Sequence, residues 1–251
     1  MAFSLDNLIT NVWSDFQNVK ADSCIVKNSI PIIWFGDMNT YFQNGNRRIV
    51  TIGLNPSKRE FQDNKGLYRT NLRFAKASNI INNNTLSIKD VCDYEEAMNE
   101  YFLQNPYKAW FQYYEKILNL LNSSYYGSNT YNHAIHIDVC SPVATDPAWG
   151  GLCSNQKNRL VTDWEKYFSD FLNFLKPQII LISANQDIVN KIFTGVSWKF
   201  HIPSTSFYLK SVKQGKQIVI WGYNNRGNPF GTRKGISISQ EIRRIRQIYN
   251  I

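Results

Sequence analysis

The run Arg48–Ser57 constrains the fold more than any other stretch of this chain. Its first half is apolar and rich in β-branched residues, which is typical of a buried strand. The sequence Gly-Leu-Asn-Pro-Ser then predicts a sharp turn that ends the strand. An amide side chain, Asn55, therefore follows the carboxyl end of a core strand, and open α/β sheets build their ligand sites at that edge.

Further apolar runs predict the rest of the sheet. Buried strands are expected at 134–140 and 177–183, further strands at about 198–210 and 217–222, and a short strand at 30–36. Apolar residues at helical spacing predict helices at 4–20, about 72–77, 95–122, about 160–175, 185–193 and 237–249. Strands that alternate with helices favour a mostly parallel sheet in a three-layer α/β/α sandwich.

The length and composition favour one folded domain. The chain has 251 residues, of which 43% are hydrophobic and 14% aromatic, enough for a substantial core. It shows no repeat and no low-complexity linker, so we expect a single domain over 1–251. Within it, 1–47 form an N-terminal extension of a helix and a strand, and 48–251 form the core.

The charge of the chain is compatible with a nucleic-acid partner. The formal net charge is +9, and each phosphate that a cation neutralises releases counterions and adds affinity. An ordinary basic protein carries the same charge, so this observation leaves both interpretations open.

The cysteines and the apolar runs exclude some classes of protein. The four cysteines contain no Cys-x-x-Cys pair, so we expect no metal site, and buried, reduced thiols are the default. No stretch reads as a signal peptide or as a transmembrane helix. We therefore expect a cytoplasmic protein with no membrane partner, and a monomer.

Several short motifs, taken in order along the chain, resemble the uracil-DNA glycosylase superfamily. Gly53–Ser57 is similar to the Gly-x-Asn-Pro turn of its mismatch-specific branch, and Asn-Leu-Arg-Phe at 71–74 is similar to the Asn-Arg-Phe run of that branch. The strand 177–183 follows the family's Lys-Pro pattern, and 222–231 stands where the family has its DNA-intercalating loop. The resemblance covers about 48–249.

The resemblance implies a fold and a reaction. The implied fold has a central, mostly parallel four-stranded sheet, and the implied reaction is monofunctional hydrolysis of an N-glycosidic bond with no metal or cofactor. Asn55 is the implied catalytic residue, because its amide can hold a water in line with the sugar carbon, while Gly53 and Pro56 shape the turn. The DNA partner is expected to be double-stranded, with the target base flipped out.

Aromatic and amide side chains after the turn are candidates for the base pocket. Tyr68 is the first candidate to stack on the flipped base and Phe61 the second, and Asn71 belongs to the resembling Asn-Arg-Phe run. Either aromatic side chain is equally compatible with packing on the core as part of a loop, so both interpretations stay open.

Asp138 departs from the family in a way that changes the expected substrate. It lies in the second core strand, where members of the superfamily often have an Asn that reads uracil. A carboxylate accepts hydrogen bonds and donates none, so it repels O4 of uracil and favours the exocyclic amine of cytosine. We expect a modified cytosine, such as the bulky 5-substituted cytosine of phage DNA, and an antiviral role. A buried Asp paired with an Arg or a backbone amide is the structural alternative.

Polar and basic residues on the turn and on the later loop are candidates for DNA contact. The candidates are Ser57, Lys58, Arg59, Arg73, Asn225, Arg226, Asn228, Arg233 and Lys234. A solvated charged surface is the alternative for all of them.

Other functions stay open at this point. The loop 224–231 lacks the His that the family often has there, so an inactive DNA-binding module is one alternative, and a repair glycosylase for uracil or mismatched thymine is another. Glu60 and Asp146 are reserve candidates for a general base, and the run 145–149 has no assigned role. Neither common phosphate-loop motif occurs, so no nucleotide cofactor is expected.

Overall fold

The computed structural model describes residues 3–45, 47–63, 65, 73–127, 132–161, 163–202, 207–224, 228–230 and 238–251. The chain divides into two compact units, each built from three segments. The first contains Met1–Asp37, Leu54–Tyr107 and Ile137–Leu175, and the second contains Met38–Gly53, Lys108–His136 and Lys176–Ile251. The single domain expected from the sequence stays a prediction.

The described residues contain eight α-helices and three short 3-10 helices. The α-helices are α1 Leu5–Val19, α2 Met38–Gln43, α3 Ile88–Asn99, α4 Lys108–Leu120, α5 Ser154–Val161, α6 Trp164–Leu175, α7 Gln186–Ile192 and α8 Ile238–Tyr249. The 3-10 helices are Lys58–Glu60, Ala75–Ala77 and Trp149–Gly151. None of these helices is long and apolar enough to cross a membrane.

One sheet of seven strands runs through the fold. The strands are β1 Ile49–Gly53, β2 Ser123–Ser124, β3 Asn132–Asp138, β4 Ile179–Ile182, β5 Lys199–Ile202, β6 Phe207–Gln214 and β7 Gln217–Asn224. Their order is β2-β3-β1-β4-β7-β6-β5. The pairs β2–β3, β1–β4 and β4–β7 are parallel, whereas β5–β6 and β6–β7 are antiparallel. The α/β class and the mostly parallel sheet are confirmed.

The sheet has seven strands and not the four that the resemblance implies, for two local reasons. The segment Phe207–Asn224 folds into a hairpin around Gly215, whose φ of +59° suits a residue without a side chain, and this hairpin extends one side of the sheet with antiparallel strands. The two-residue strand β2 extends the other side. Such a short strand leaves no apolar pattern in the sequence.

The run 30–36 is buried but does not form the expected strand. Its backbone groups are satisfied one by one: the amide of Ile32 donates to Pro142 O at 2.7 Å, and the amide of Gly36 donates to Met98 O at 3.1 Å. The Tyr94 hydroxyl donates to Pro31 O at 2.8 Å. Burial of Ile32 and its neighbours explains the apolar run, and Pro31 has no N–H to give to a neighbouring strand.

Two of the expected helices are each divided into two shorter pieces. The helix expected at 95–122 is α3 and α4, which are separated by 100–107, and Pro106 lies just before α4 begins. The helix expected at about 160–175 is α5 and α6. The apolar stripe of α4 is buried, as predicted for a core helix. Helices α1, α7 and α8 lie close to their predicted positions, and the Ser4 hydroxyl caps α1 by accepting from the Asn7 amide.

Candidate active site

The turn after β1 holds the Asn55 side chain in one orientation. Asn55 Nδ2 donates to Val143 O at 3.1 Å and to Thr145 Oγ1 at 3.1 Å. A backbone carbonyl only accepts, so the amide nitrogen must face Val143, which sets the amide orientation. Among the described residues, both hydrogen bonds of this side chain are donated by Nδ2, and Oδ1 keeps its capacity to accept. The amide of Cys140 donates to Leu54 O at 2.8 Å and ties the turn to the segment after β3.

Thr145 is a residue of the site that sequence reasoning missed. It is 2% exposed, and its backbone forms isolated bridges with Ile25 and Ser57. The sequence offered only a loop of turn residues at 145–149, without a partner for it. The structure supplies that partner, because the loop carries the hydroxyl that accepts from Asn55.

The residues directly after Asn55 form a short capped turn with exposed cations. Ser57 Oγ accepts from the Arg59 amide at 3.1 Å, and Pro56 is buried. Lys58 pairs with Asp146, and both side chains are about half exposed. Arg59 is exposed, with its guanidinium 6.0 Å from the centroid of the Tyr107 ring. Lys58 and Arg59 thus place two cations at the surface, and Asp146 is the ion-pair partner of Lys58.

Glu60 lies at the end of this turn and is the most enclosed carboxylate of the site. It is 2% exposed. Arg73 Nη1 lies 2.9 Å from Glu60 Oε2, and the Tyr101 hydroxyl donates to the same oxygen at 2.6 Å. The Tyr107 amide donates to the Tyr101 hydroxyl at 2.9 Å, and the Arg73 guanidinium lies 5.6 Å from the centroid of the Tyr107 ring.

Arg73 is therefore wrongly assigned to DNA contact by the sequence. Only 8% of the residue is exposed, and its charge compensates the buried carboxylate of Glu60. A buried carboxylate without a cation would be strongly unfavourable. Arg73, thirteen residues after Glu60, is therefore buried together with it.

Burial makes Glu60 weakly acidic. It raises the pKa of Glu60 from 4.5 to about 7, against the lowering effects of Arg73 and Tyr101. The negative charge of Asp138 raises the pKa of Glu60 further. A group with such a pKa exchanges its proton near neutral pH, which is typical of acids and bases in active sites.

Asp138 lies at the end of β3 and is 3% exposed. Its backbone oxygen accepts a hydrogen bond from Trp164 Nε1 at 2.9 Å. This bond places the first residue of α6 against the strand end. Asp138 is thus a second buried acidic residue of the site, and its charge contributes to the raised pKa of Glu60.

Phe61 lies in an aromatic core. It is fully buried and stacks on Phe74, with ring centroids 5.5 Å apart, and Phe74 stacks on Tyr101 at 5.4 Å. No face of Phe61 is open to a base, so the structure favours the core alternative and contradicts a stacking role. Instead, Phe61 packs on Phe74, and Phe74 packs against the ring of Tyr101, whose hydroxyl donates to Glu60.

Several predicted site residues lie outside the described part of the chain. These are Tyr68, Asn71, Asn225, Arg226, Arg233 and Lys234. Asn228 is described and exposed, and Gly53 is buried at the end of β1. Asn55 and Glu60 follow β1 within six residues of each other, and the Cys140 amide, two residues after Asp138, donates to Leu54 O at the start of that turn.

No cluster of three or more His, Cys, Asp or Glu side chains that could hold a metal ion occurs among the described residues. The chain matches none of the known protein-family models and none of the curated protein sequences with which it was compared. The resemblance found in the short motifs therefore stays a prediction.

Proposed function

We propose that this protein is a DNA glycosylase that hydrolyses the N-glycosidic bond of a flipped-out pyrimidine and leaves an abasic site. The target is a modified cytosine, such as a bulky 5-substituted cytosine of phage DNA, and the biological role is defence. A three-layer fold similar to that of the uracil-DNA glycosylases is part of this proposal.

The observation that carries the proposal is the orientation of the Asn55 amide. In the described part of the chain, the Asn55 side chain makes two hydrogen bonds, and both are donated by Nδ2, to Val143 O and Thr145 Oγ1. The acceptor Oδ1 is thereby held in a fixed direction, as required to orient a water molecule for attack on C1′ of the sugar. Asn cannot accept the proton of this water. It does not need to, because the transition state of glycoside hydrolysis resembles an oxocarbenium ion, and an oriented water and stabilised charge matter more there than a strong nucleophile.

The choice of base is supported by Asp138. Asp138 is buried, and a carboxylate only accepts hydrogen bonds, so it can accept from the exocyclic amine of cytosine. Uracil presents a carbonyl oxygen at the same position, which a carboxylate repels. The burial of Asp138 strengthens this discrimination, because water cannot screen the repulsion.

DNA affinity is supported by charge and by placement. The net charge of the chain is +9, and Lys58 and Arg59 follow the Asn55 turn directly, with partly or fully exposed side chains. Cations next to a base pocket can contact the phosphates that flank the flipped nucleotide.

A panel of duplexes tests the proposal. Each carries one modified position: uracil, thymine opposite guanine, cytosine, 5-hydroxymethylcytosine or glucosylated 5-hydroxymethylcytosine. Base release is measured as alkali-labile abasic sites in single turnover. We expect release from the modified cytosines and not from uracil. Release from uracil or mismatched thymine alone would contradict the assignment of the base, and release from no duplex would contradict the glycosylase.

A further inference from the structure

Lys210 of β6 is buried among three aromatic rings. Only 7% of the residue is exposed. Its Nζ lies 4.4 Å from the ring centroid of Phe200, 4.5 Å from that of Tyr208 and 4.4 Å from that of Trp221. The strand register explains two of these contacts, because Lys210 stands opposite Phe200 of β5 on one side and opposite Trp221 of β7 on the other. Directly opposed residues of antiparallel strands lie on the same face of a sheet.

The faces of these rings, and not a carboxylate, compensate the charge of Lys210. In the described part of the chain, no Asp or Glu lies within ion-pair distance of its Nζ. Burial lowers the pKa of the amine, and the faces of aromatic rings, which attract cations, act against that effect. The aromatic cage is therefore filled by the protein's own ammonium and is not a site for a cationic ligand.

Two walls of the cage are fixed in the fold, and the third is open to solvent. Trp221 is fully buried, and its Nε1 donates to Ala184 O at 2.8 Å. Tyr208 packs edge-on against Trp221, with ring centroids 4.7 Å apart. Phe200 lies on the last strand of the sheet and is 58% exposed. Because the ammonium covers one face of the Phe200 ring, a partner can stack on the opposite face.

The part of the chain that carries this ring has positive charges and no negative ones. The 53 residues of 188–240, which include β5, β6 and β7, contain eight Lys or Arg residues and no Asp or Glu. Lys199, next to Phe200, is exposed, and so are Lys213 and Lys216 of the hairpin. A partner with negative charges along its length is therefore attracted to this side of the sheet.

We propose that Phe200 is a stacking site for an unpaired base of a DNA strand whose phosphates are attracted by the surrounding lysines. An exposed ring in a cationic surface fits an anionic polymer that carries aromatic bases, and proteins that bind single strands combine these two features. Lys210 is a positioning residue, because it acts on the base through the ring of Phe200. This inference rests on the DNA partner of the proposed function and adds that the bound DNA has an unpaired segment.

The stacking ring is far from β1 within the sheet. One row of paired residues crosses five strands: Ile52, Ile182, Trp221, Lys210 and Phe200. Phe200 thus lies four strand spacings, or about 19 Å, from Ile52 of β1. Loss of the ring should therefore weaken DNA binding and leave the rate of base release from bound DNA unchanged.

Binding of single strands tests the inference. Fluorescence anisotropy measures the affinity of wild type, Phe200→Ala, Phe200→Tyr and Leu103→Ala for two strands of about twelve nucleotides. One strand contains only thymidine, and the other contains only abasic spacers, so it has the same phosphates and no bases. Leu103 is an apolar residue outside the sheet that is 74% exposed, so its variant is the matched control.

The loss should depend on the bases of the strand. We expect Phe200→Ala to bind the thymidine strand about tenfold more weakly than wild type and the abasic strand equally well. Phe200→Tyr keeps a ring and should stay within about twofold of wild type on both strands, and Leu103→Ala should do the same. An equal loss on both strands overturns the inference, and so does an unchanged affinity of Phe200→Ala for the thymidine strand.

The assay releases no base, so this inference and the glycosylase fail separately. Wild type that binds duplex DNA but neither single strand overturns the stacking site alone. Wild type that binds no DNA overturns the DNA partner and the stacking site together. A base-dependent loss in Phe200→Ala supports the stacking site even where no duplex of the panel releases a base, a result that contradicts the glycosylase alone.

A double-variant cycle tests the role of Lys210. Lys210→Met removes the charge behind the ring and should weaken binding of the thymidine strand about threefold, whereas Lys210→Arg keeps a cation there and should stay within about twofold of wild type. In the Phe200→Ala background, Lys210→Met should have no further effect, because its effect passes through the ring. The same further loss in that background overturns the positioning role.

Discussion

The Asn55 amide donates to the Thr145 hydroxyl across 3.1 Å, although 90 positions separate the two residues in the chain. This contact makes the loop after β3 part of the turn after β1. The orientation of Asn55 thus depends on a residue that would not contact substrate, and it can be disturbed without touching Asn55.

Thr145→Val should slow base release while the protein stays folded. Valine has nearly the same shape but no acceptor, so one N–H of Asn55 loses its partner. We expect a loss of about 1–2 kcal/mol in the free energy of unfolding and about a tenfold slower release, measured by chemical denaturation and single-turnover kinetics. Thr145→Ser keeps the hydroxyl and should stay within about threefold of wild type. Equal rates for the Val and Ser variants would argue against this role.

Removing Arg73 should destabilise the protein strongly. Arg73→Met leaves the Glu60 carboxylate buried without its cation, and we expect a loss of about 3–5 kcal/mol in the free energy of unfolding at pH 8. The surface pair Lys76–Glu96 gives the control, since Lys76→Met should cost less than about 1 kcal/mol. The double variant Glu60→Gln/Arg73→Met should recover part of the loss. Similar costs for both single variants would show that the Glu60–Arg73 pair is not buried.

The stability of the protein should fall as pH rises from 4.5 to 7, because of Glu60. The folded state raises the pKa of Glu60 from 4.5 to about 7, so it binds this proton more tightly than the unfolded state does. The resulting loss of stability is on the order of 3 kcal/mol across that window. The measurement is urea denaturation at several pH values for wild type and Glu60→Gln. The variant should lack this slope, and parallel curves would contradict the raised pKa.

Lys58 and Arg59 should contribute to DNA affinity through phosphates. Replacing either by Gln should weaken binding to unrelated duplexes by a similar factor and reduce the slope of log affinity against log salt by about 1. Fluorescence anisotropy at several salt concentrations measures both quantities. Lys89→Gln, which changes an exposed lysine of α3, is the control and should leave the slope unchanged. An unchanged slope in both site variants would exclude phosphate contact by these side chains.

The strands and the Asn55 turn were predictable from sequence because their signals are local. Ile49–Gly53 and Ile179–Ile182 are continuous apolar runs that end at turn residues, and the structure pairs them in parallel. The run 30–36 shows the limit of that signal. It is as apolar as a strand, yet its backbone amides donate to isolated carbonyl groups of other segments and not to a neighbouring strand. The periodicity of the sequence does not indicate these partners.

The supporting residues of the candidate site could not be found in the same way. Thr145 and Tyr101 act through contacts with residues 90 and 41 positions away, and neither lies in a motif. The sequence shows the charge of Arg73 but not its burial, because the burial of a cation depends on the carboxylate that it meets in the fold. It marks Glu60 only as a reserve base, because the raised pKa of Glu60 arises from enclosure in the fold.

Base release by Asn55→Ala tests the central claim most directly. The measurement is the single-turnover rate of abasic-site formation in a duplex that carries a modified cytosine, with Asn190→Ala on the exposed surface of α7 as the matched control. We expect Asn55→Ala to be at least 100-fold slower than wild type, with unchanged DNA affinity, and Asn190→Ala to match wild type. Full activity in a folded Asn55→Ala protein would contradict the account.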